Sequence, residues 1–503
     1  MKTNFDDIYK HALEAESVWK SSYKIFPNLI NKNNYQKGAE IGVAFGGHAD
    51  SILKNTKIER LYGIDPYLHL DNYKDPFNLP VEYFEKIYVF MLERLKNYNN
   101  RFKHIRKLSK DAVDDIKEYL DFVYIDAEHT YNAVIEDIIL WYPKIREGGI
   151  IGGHDYGHLN FPGVKKAVDE YFSRFNYKIN LDESGVWWVK KEKISISFII
   201  PAYNCSETVE KSVDSIMESN FEVGDELIIV NDCSTDNTLN KLKELNKKYE
   251  IIKIVNHKIN KGGGAARNTA VENSNNKLIF CLDSDNLLDP YSVNRLKNSL
   301  IKSVSDIAAF KELLYFKNNK EEVTHKWVFP EGILGLDYCL RTNKNPISSG
   351  NYLYTKFSWE RAGGYPEHVG ALDAWGFGFK QLATSSTITI LDNSFYFHRY
   401  GNESYWVRDS KNKNMSLMAL QIIIPFLDLI DERDKKYLFN YKNIFKWFDN
   451  IDKRPIRLKK QQKVNKGFMI VFLNIKNGIK KLKFFNKLKF LKNFYDKWHK
   501  KNY

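Results

Sequence analysis

Short apolar, strand-like runs alternate with helical patterns twice along this chain, and this alternation constrains the fold more than any other feature. In the first half the strand-like runs are Gly38–Val43, Arg60–Ile64, Phe122–Ile125, Gly149–Gly152 and Val186–Val189. In the second half they are Ser195–Pro201, Glu226–Asn231, Ile251–Asn256 and Lys277–Asp283. Strands that alternate with helices form parallel sheets. The sequence therefore predicts two α/β domains, each built on a parallel sheet.

The length of the chain agrees with this division. Its 503 residues suffice for two or three domains, and 43% hydrophobic residues are enough to build their cores. The charged stretch Lys190–Lys193 marks the join, and turn signals become sparse after about Tyr405. We expect one α/β domain over residues 1–192, a second over residues 193–405 and a helical C-terminal region over residues 406–503.

Neither the N-terminus nor the cysteines indicate export. The opening MKTNFDDIYK lacks the apolar core of a signal peptide, and no run approaches the roughly 18–20 apolar residues of a membrane span. The four cysteines form no CxxC pair, and sparse cysteines are typical of a reducing compartment. The sequence predicts a cytoplasmic protein, soluble or peripheral on a membrane.

The positive charge is concentrated at the C-terminus. The formal net charge is +13, but 17 Lys and Arg and a single acid lie between Lys453 and Tyr503, which leaves a net charge of −3 on the first 452 residues. Between Ile479 and Trp498 apolar residues recur every three or four positions, as on one helical face. Such a basic amphipathic helix indicates an anionic membrane surface. A helix docked on the protein is the alternative, and nucleic acid is the least favoured partner.

A glycine-rich segment, AEIGVAFGG at residues 39–47, follows the first strand and precedes a helix. Glycines at such a turn let the backbone approach a ligand closely. Ala44 replaces the second glycine of a GxGxxG motif, which disfavours a dinucleotide. Asp65 ends the next strand, where its carboxylate can accept hydrogen bonds from both ribose hydroxyls. The alternative is a tight strand-to-helix turn without a ligand.

Acidic and histidine side chains follow two neighbouring strands at the edge where open α/β sheets bind ligands. Asp126 ends one strand and His154-Asp155 ends the next, so these side chains can converge on Mg²⁺ or Mn²⁺. Glu128 or His129 can then take the proton of a sugar hydroxyl. Capping of the turn by His154 and Asp155 is the alternative without a metal.

The runs DFVYIDAEHTYNAVIEDI and WYPKIREGGIIGGHDY carry a family resemblance. Residues 38–189 resemble a class I S-adenosylmethionine-dependent methyltransferase, most closely the branch of small-molecule and sugar O-methyltransferases. The resemblance implies a Rossmann-like fold that holds S-adenosylmethionine through Glu40, Gly42, Gly46 and Asp65. It also implies that Asp126 and Asp155 bind a metal, whereas His154 stands where metal-dependent relatives often have Asp.

Three motifs follow one another in the second half. ELIIVNDCSTDNT ends a strand near Asp232, which can accept a base N–H of a nucleotide. NKGGGAARNTA places three glycines before Arg267, a bidentate partner for a phosphate or a carboxylate. KLIFCLDSDN ends a strand with Asp283 and Asp285, which can hold Mg²⁺ or Mn²⁺ on a diphosphate. A DxD motif alone is usually a solvated turn, so the prediction of a metal site depends on the order of the three motifs.

That order resembles a family 2 glycosyltransferase of the GT-A fold, and SGNYLYTKFSWERAGGYPE continues the pattern. The resemblance implies that Asp232 contacts the nucleoside, that Asp285 binds the metal and that Asp283 contacts the ribose or the metal. Family members usually follow with an acidic pair. Here Leu372 replaces the first acid, so Asp373 is the candidate general base of an inverting, single-displacement reaction.

The run FYFHRYGNES adds a candidate ligand to this second site. By the same resemblance, His398 fits a late histidine that completes the metal site in some relatives. The alternative is a loop histidine with hydrogen-bond partners of its own.

Together these patterns predict a bifunctional enzyme. One domain transfers a sugar from a nucleotide-sugar donor to a glycan or lipid-linked acceptor, and UDP is the expected nucleotide. The other domain transfers a methyl group to a sugar hydroxyl. The expected setting is assembly of bacterial surface polysaccharide or glycolipid at the inner face of the cytoplasmic membrane. Two alternatives stay open: a glycosyltransferase whose first domain is only a scaffold, and a nucleic-acid methyltransferase, which the charge of the first 452 residues disfavours.

Overall fold

The computed structural model describes residues 9–10, 13–14, 16–17, 20–71, 73, 75, 78–219, 221–342, 344–401, 405, 407, 409 and 415–438. The predicted amphipathic helix between Ile479 and Trp498 lies outside these residues. Within them, no helix combines the length and the apolar character that crossing a membrane requires.

The first half of the chain forms one sheet with helices on both faces. Its strands are β1 (Lys37–Ile41), β2 (Arg60–Ile64), β3 (Phe102–Ile105), β4 (Leu120–Ile125), β5 (Ile145–Gly153), β6 (Asn180–Leu181) and β7 (Trp187–Lys190). Its helices are α1 (Ile25–Asn33), α2 (Gly47–Asn55), α3 (Val81–Leu95), α4 (Ser109–Ala112), α5 (Tyr131–Trp141) and α6 (Pro162–Ser173). The strand order is β3-β2-β1-β4-β5-β7-β6. The predicted Rossmann-like arrangement is confirmed.

The parallel sheet that was predicted ends in an antiparallel edge. Strands β1 to β5 are parallel, but β7 runs antiparallel to β5, and β6 runs antiparallel to β7. Only a short turn, closed by a hydrogen bond from the Gly185 amide to the Asp182 carbonyl at 3.0 Å, joins β6 to β7. Two strands joined by so few residues must be antiparallel, because a parallel crossover needs a dozen residues or more.

The second half forms a larger, mixed sheet. Its strands are β8 (Ile196–Ala202), β9 (Glu226–Asn231), β10 (Ile252–Asn256), β11 (Leu278–Cys281), β12 (Leu287–Leu288), β13 (Ile307–Phe316), β14 (His325–Val328), β15 (Gly332–Leu334), β16 (Leu353–Thr355) and β17 (Ile388–Arg399). Its helices are α7 (Val209–Glu218), α8 (Thr238–Lys248), α9 (Gly263–Glu272), α10 (Ser292–Ile301), α11 (Leu336–Arg341), α12 (Lys356–Ala362) and α13 (Asp373–Ala383), followed by α14 (Met415–Ile423) and α15 (Glu432–Leu438).

This sheet also departs from the parallel prediction. The central order is β10-β9-β8-β11-β16-β13-β17-β12, and β16 is antiparallel to both β11 and β13. The sequence of β13, IAAFKELLYF, is rich in Ala, Lys, Glu and Leu, which favour helices. It forms a strand because pairing with β16, β17 and β14 satisfies its backbone.

The two halves pack together at the amino edges of their sheets. The hydroxyl of Tyr171, late in α6, donates to the Ile301 carbonyl at 2.8 Å, and Arg174 donates to the Ser305 carbonyl at 2.5 Å. Arg174 is 3% exposed, between the rings of Tyr171 and Phe175. Because strands in both halves begin near this junction, the carboxyl edges of both sheets lie on the sides away from it.

Arg174→Ala is expected to destabilise this junction. The substitution leaves the buried Ser305 carbonyl without its donor and opens a cavity, at a cost of about 3 kcal/mol. The matched control is Arg295→Ala, because Arg295 also donates to two backbone carbonyls but is exposed. Thermal denaturation should show a clearly lower midpoint for Arg174→Ala only. Equal midpoints for the two variants would contradict a junction held by Arg174.

A buried acid on α5 should make stability depend on pH. Asp137 is 5% exposed and accepts a hydrogen bond from the Ser109 hydroxyl, and burial raises the pKa of its carboxyl to about 7. The folded chain thus keeps a proton that the unfolded chain releases near pH 4, so stability falls as pH rises from about 4 to 7. In the Asp137→Asn variant, the decrease in the free energy of unfolding over this pH range should be smaller by up to about 4 kcal/mol. Parallel stability curves for both proteins, measured by denaturation between pH 4 and 8, would refute this role.

Candidate functional sites

The predicted acids of the first half meet at the carboxyl edge of its sheet. Asp126 follows β4, and His154 and Asp155 follow β5. Within the described ranges, these three residues alone form a group of three or more potential metal ligands whose ligand atoms lie within 4.8 Å of one another. Two carboxylates and an imidazole are a donor set that fits a divalent cation such as Mn²⁺.

His129 lies in the middle of this cluster. Its Nε2 is 3.3 Å from Asp126 and 3.1 Å from Asp155, and its Nδ1 is 3.4 Å from Asp75. Burial alone would lower the pKa of His129, but the hydrogen bonds to these carboxylates outweigh burial and raise it. The Tyr73 hydroxyl also lies 3.0 Å from Nδ1. Both ring nitrogens therefore already have partners, whereas Glu128 accepts a hydrogen bond from the Thr130 hydroxyl at 2.7 Å.

The glycine loop after β1 is shaped by the protein itself. Gly42 has φ +87°, and a Cβ there would lie 2.0 Å from the Asp126 carbonyl oxygen. Gly46, with φ +75°, precedes α2 and packs on Met91 of α3. Asp65 accepts hydrogen bonds from the Val43 and Ala44 amides, both at 3.0 Å. The loop therefore needs its glycines for backbone geometry before any ligand binds.

A buried pair beneath this loop has unused polar atoms. Glu40 is 2% exposed and contacts His48 Nδ1 at 2.9 Å. Among the described residues, Glu40 Oε2 and His48 Nε2 are buried without a hydrogen-bond partner. Since such orphaned groups are costly, they fit a polar ligand such as the amino-acid portion of S-adenosylmethionine.

The second site is organised by one arginine. Arg267, in the first turns of α9, donates to Asp373 at 2.7 Å and to Asp283 at 2.6 Å. Asp373, the first residue of α13, is 3% exposed. A Cβ at Gly263 would lie 2.5 Å from the Asp373 carboxylate, so glycine there makes room for the pair. The arginine joins two of the predicted acids that lie 90 residues apart in the chain.

Asp285 and His398 remain candidates for a cation. No described residue forms an ion pair with the Asp285 carboxylate, and burial together with Asp283 raises its pKa to about 7. Burial lowers the pKa of His398 to about 4, so its imidazole is neutral, as a metal ligand must be. The Nδ1 atom of His398 lies 3.4 Å from the side-chain nitrogen of Asn286. Asp285 and His398 are each suited to bind Mg²⁺ or Mn²⁺, but among the described residues they do not belong to a three-ligand group of the kind seen around Asp126.

Asp232 is held at the end of β9. Its carboxylate accepts hydrogen bonds from the Lys261 amide at 2.9 Å and the Gly262 amide at 2.7 Å, and His257 Nδ1 lies 2.6 Å away. The other ring nitrogen of His257 contacts the Thr269 hydroxyl at 3.0 Å. This network fixes the position of a carboxylate that was predicted to contact a nucleoside.

Some residues of the two sites were not predicted. Asn351 donates to Asp283 at 3.0 Å and accepts from the Asp283 amide at 2.7 Å, which orients that carboxylate. The sequence marks Asn351 only as a polar residue inside the run SGNYLY, and the structure shows that it is 1% exposed. Tyr73 and His257 lie in none of the motifs, and their partners His129 and Asp232 lie 56 and 25 residues away along the chain.

Two family models match parts of the chain that contain the candidate sites. Residues 39–156 match a family described as methyltransferase domain. Residues 197–361 match glycosyl transferase family 2. The first match contains the glycine loop and the acid cluster, and the second contains Asp232, Arg267 and both acids of the DxD motif.

Curated relatives are similar to part of the chain. A poly(ribitol-phosphate) beta-glucosyltransferase of Bacillus spizizenii is 33% identical over 120 residues, which are 24% of this chain and 19% of the relative. Chondroitin synthase of Escherichia coli is 33% identical over 186 residues, 34% of this chain and 26% of the relative. UDP-Glc:alpha-D-GlcNAc-diphosphoundecaprenol beta-1,3-glucosyltransferase WfgD of Escherichia coli is 30% identical over 138 residues, 27% of this chain and 52% of the relative. The matched segments thus span from a fifth to about half of these relatives.

Among solved structures, residues 1–349 of S. aureus TarS in complex with UDP-GlcNAc share 18% identity at a TM-score of 0.43, over 54% of this chain and 77% of that one. The predicted GT-A fold agrees with the family match of the second half. The chain therefore carries a methyltransferase domain at residues 39–156, followed by a family 2 glycosyltransferase domain of the GT-A fold at residues 197–361.

Proposed function

We propose that the second domain transfers a sugar from a UDP-sugar to a hydroxyl of a bacterial surface glycan or its lipid-linked precursor. The observation that carries this proposal is the buried Arg267, which joins Asp283 of the DxD motif to Asp373. It brings a donor-side acid and an acceptor-side acid to one place. The named activities of the relatives, which include glucosyl transfer to poly(ribitol phosphate) and to a diphosphoundecaprenol-linked sugar, support the choice of acceptor.

The residues of this domain divide the work between donor and acceptor. Asp232, fixed by His257 and two backbone amides, receives the nucleoside. A divalent cation held by Asp285, with Asp283 and His398, would neutralise charge on the leaving diphosphate. Asp373 removes the proton of the attacking acceptor hydroxyl. Burial raises the pKa of Asp373, which makes it a stronger base, while Arg267 opposes that rise and keeps the carboxylate charged.

The test uses the purified full chain with a panel of UDP-sugars, Mn²⁺ and poly(ribitol phosphate) as acceptor. We expect release of UDP that depends on acceptor, and its loss in Asp285→Asn. The control is Asp392→Asn, on the exposed part of β17. Failure of the wild-type chain to bind any UDP-sugar would refute the donor assignment.

We propose that the first domain transfers a methyl group from S-adenosylmethionine to a sugar hydroxyl. The unpartnered oxygen of Glu40 and the glycine loop held by Asp65 support a cofactor site, and Asp126, His154 and Asp155 would hold a cation beside it. S-adenosylmethionine, when bound, supplies the electrophilic methyl group. Of the two predicted bases, Glu128 is the better placed to take the hydroxyl proton, because both nitrogens of His129 already have partners.

Methyl transfer is tested with labelled S-adenosylmethionine and the glycosylated product of the second domain. We expect incorporation of label in the wild-type chain, strong loss in Asp126→Asn, and retention in Asp169→Asn, a surface acid on α6 paired with Lys165. Cofactor binding without incorporation into any tested glycan would favour the alternative, in which the first domain is a scaffold.

The domain limits and the setting are part of the same proposal. We place the methyltransferase domain at residues 1–192, the glycosyltransferase domain at residues 193–405 and a separate C-terminal region, most of which lies outside the described residues, at residues 406–503. The similarity to a relative whose named substrate is a diphosphoundecaprenol-linked sugar supports sugar transfer at the inner face of the cytoplasmic membrane. The basic C-terminal segment supplies positive charge suited to an anionic lipid surface.

A further inference from the structure

Beyond His398, the candidate metal ligand at the end of β17, lies a row of rings formed by Tyr315, His325 and Trp327, which take no part in the proposed reaction. In the parallel register of β13 and β17, His398 pairs with Tyr315, and in the antiparallel register of β13 and β14, Tyr315 pairs with His325. Paired residues of adjacent strands lie side by side on one face of a sheet. The centroid of the Tyr315 ring lies 4.8 Å from that of His398 and 4.3 Å from that of His325.

The row runs from the donor site to solvent. At its inner end, His398 contacts Asn286, the residue that follows Asp285. At its outer end, His325 is exposed and its ring is stacked on Tyr315 at an interplanar angle of 10°. Trp327 stands two residues further along β14, is partly exposed and lies 5.4 Å from Tyr315. The row therefore connects the donor site with an open aromatic surface.

The opposite face of β14 has a different chemistry. Because side chains alternate along a strand, Lys326 points away from His325 and Trp327. Its ammonium group pairs with Glu312 of β13 at 2.9 Å. On β14, the two aromatic side chains thus lie on the face that continues from the donor site, and Lys326 lies on the other.

We infer that this aromatic row, with His325 and Trp327 at its exposed end, binds a pyranose ring of the acceptor glycan. The face of a pyranose presents C–H bonds with partial positive charge, and these are attracted to the negative face of an aromatic ring. A phosphate would need charged donors such as Lys or Arg, and Lys326 lies on the opposite face of β14, where it pairs with Glu312. The inference rests on the proposed sugar transfer, and it names the surface that holds the acceptor beyond the reacting residue.

Saturation-transfer NMR on the full chain, loaded with UDP and Mn²⁺, tests this inference. The probes are methyl β-D-glucopyranoside and methyl N-acetyl-β-D-glucosaminide. We expect saturation of ring C–H protons in the wild-type chain and binding weakened about fivefold or more in His325→Ala and Trp327→Ala. Lys326→Ala is the matched control on the same strand and should bind both glycosides as the wild-type chain does.

UDP binding is measured on each sample so that the two proposals fail separately. If UDP binds normally and neither glycoside does, or if His325→Ala and Trp327→Ala bind glycoside like the wild-type chain, the acceptor surface is refuted and the donor site stands. Equal losses in Lys326→Ala and His325→Ala also overturn the inference, because they indicate a general effect on β14. Absence of UDP binding in the wild-type chain instead refutes the proposed function.

Discussion

Asp373→Asn should slow sugar transfer by about 10²- to 10⁴-fold while UDP binding is retained. The amide keeps the shape of the side chain but cannot accept the proton of the acceptor hydroxyl. It also leaves the buried Arg267 with a single charged partner, which is expected to lower stability. Initial rates of UDP release and calorimetric titration with UDP and Mn²⁺ measure the two properties separately.

The control for Asp373→Asn must also weaken a buried ion pair between an aspartate and an arginine, but outside the site. Asp306→Asn does so, because Asp306 is 4% exposed and pairs with Arg361 at the amino edge of the sheet. We expect Asp306→Asn to lower stability and to leave the transfer rate of the folded protein within about twofold. If both variants lose transfer equally, Asp373 acts through stability and is not the base.

Gly42→Ala should abolish binding of S-adenosylhomocysteine and destabilise the first domain. A Cβ at residue 42 would lie 2.0 Å from the Asp126 carbonyl oxygen, and φ is +87°, where only glycine is unstrained. The loop must move, and it carries with it the amides that Asp65 holds. Calorimetric titration and chemical denaturation measure the two losses, and we expect a cost of about 3 kcal/mol or more.

Gly157→Ala separates the collision from the strained backbone. Gly157 has φ +81°, but a Cβ there would meet no atom within 4 Å. This variant should lose about 1–2 kcal/mol, from the left-handed backbone alone, and should bind the cofactor product normally. Normal binding in Gly42→Ala would show that the loop tolerates a shift and that its geometry is not critical.

The motifs predicted which polar residues lie at the carboxyl edges of the sheets, because a polar residue directly after a parallel strand must lie at that edge. Asp126 and Asp155 met there for this reason, and so did the acids that follow β9 and β11. The sequence did not predict that Arg267 joins Asp283 and Asp373. That contact spans 106 residues to Asp373, and no local pattern specifies which of many charged side chains will meet across such a distance.

Two further differences concern the glycines and strand β13. The glycines after β1 were interpreted as a site of close ligand approach, but Gly42 is first required by the neighbouring Asp126 carbonyl, and Gly263, before Arg267, is required in the same way by the Asp373 carboxylate. The strand β13 was missed because its composition favours a helix, and only its pairing with three other strands makes it extended. Composition reports the preference of a segment in isolation, and here tertiary pairing outweighs it.

Titration calorimetry of the full chain with two ligands tests the central claim most directly. S-adenosylhomocysteine and then UDP with Mn²⁺ are titrated into the wild-type chain, Asp65→Asn and Asp285→Asn. We predict that the wild-type chain binds both ligands and that each substitution weakens only its own ligand. A chain that binds UDP but not S-adenosylhomocysteine, or substitutions that each remove both ligands, would contradict the account of two independent transferase sites.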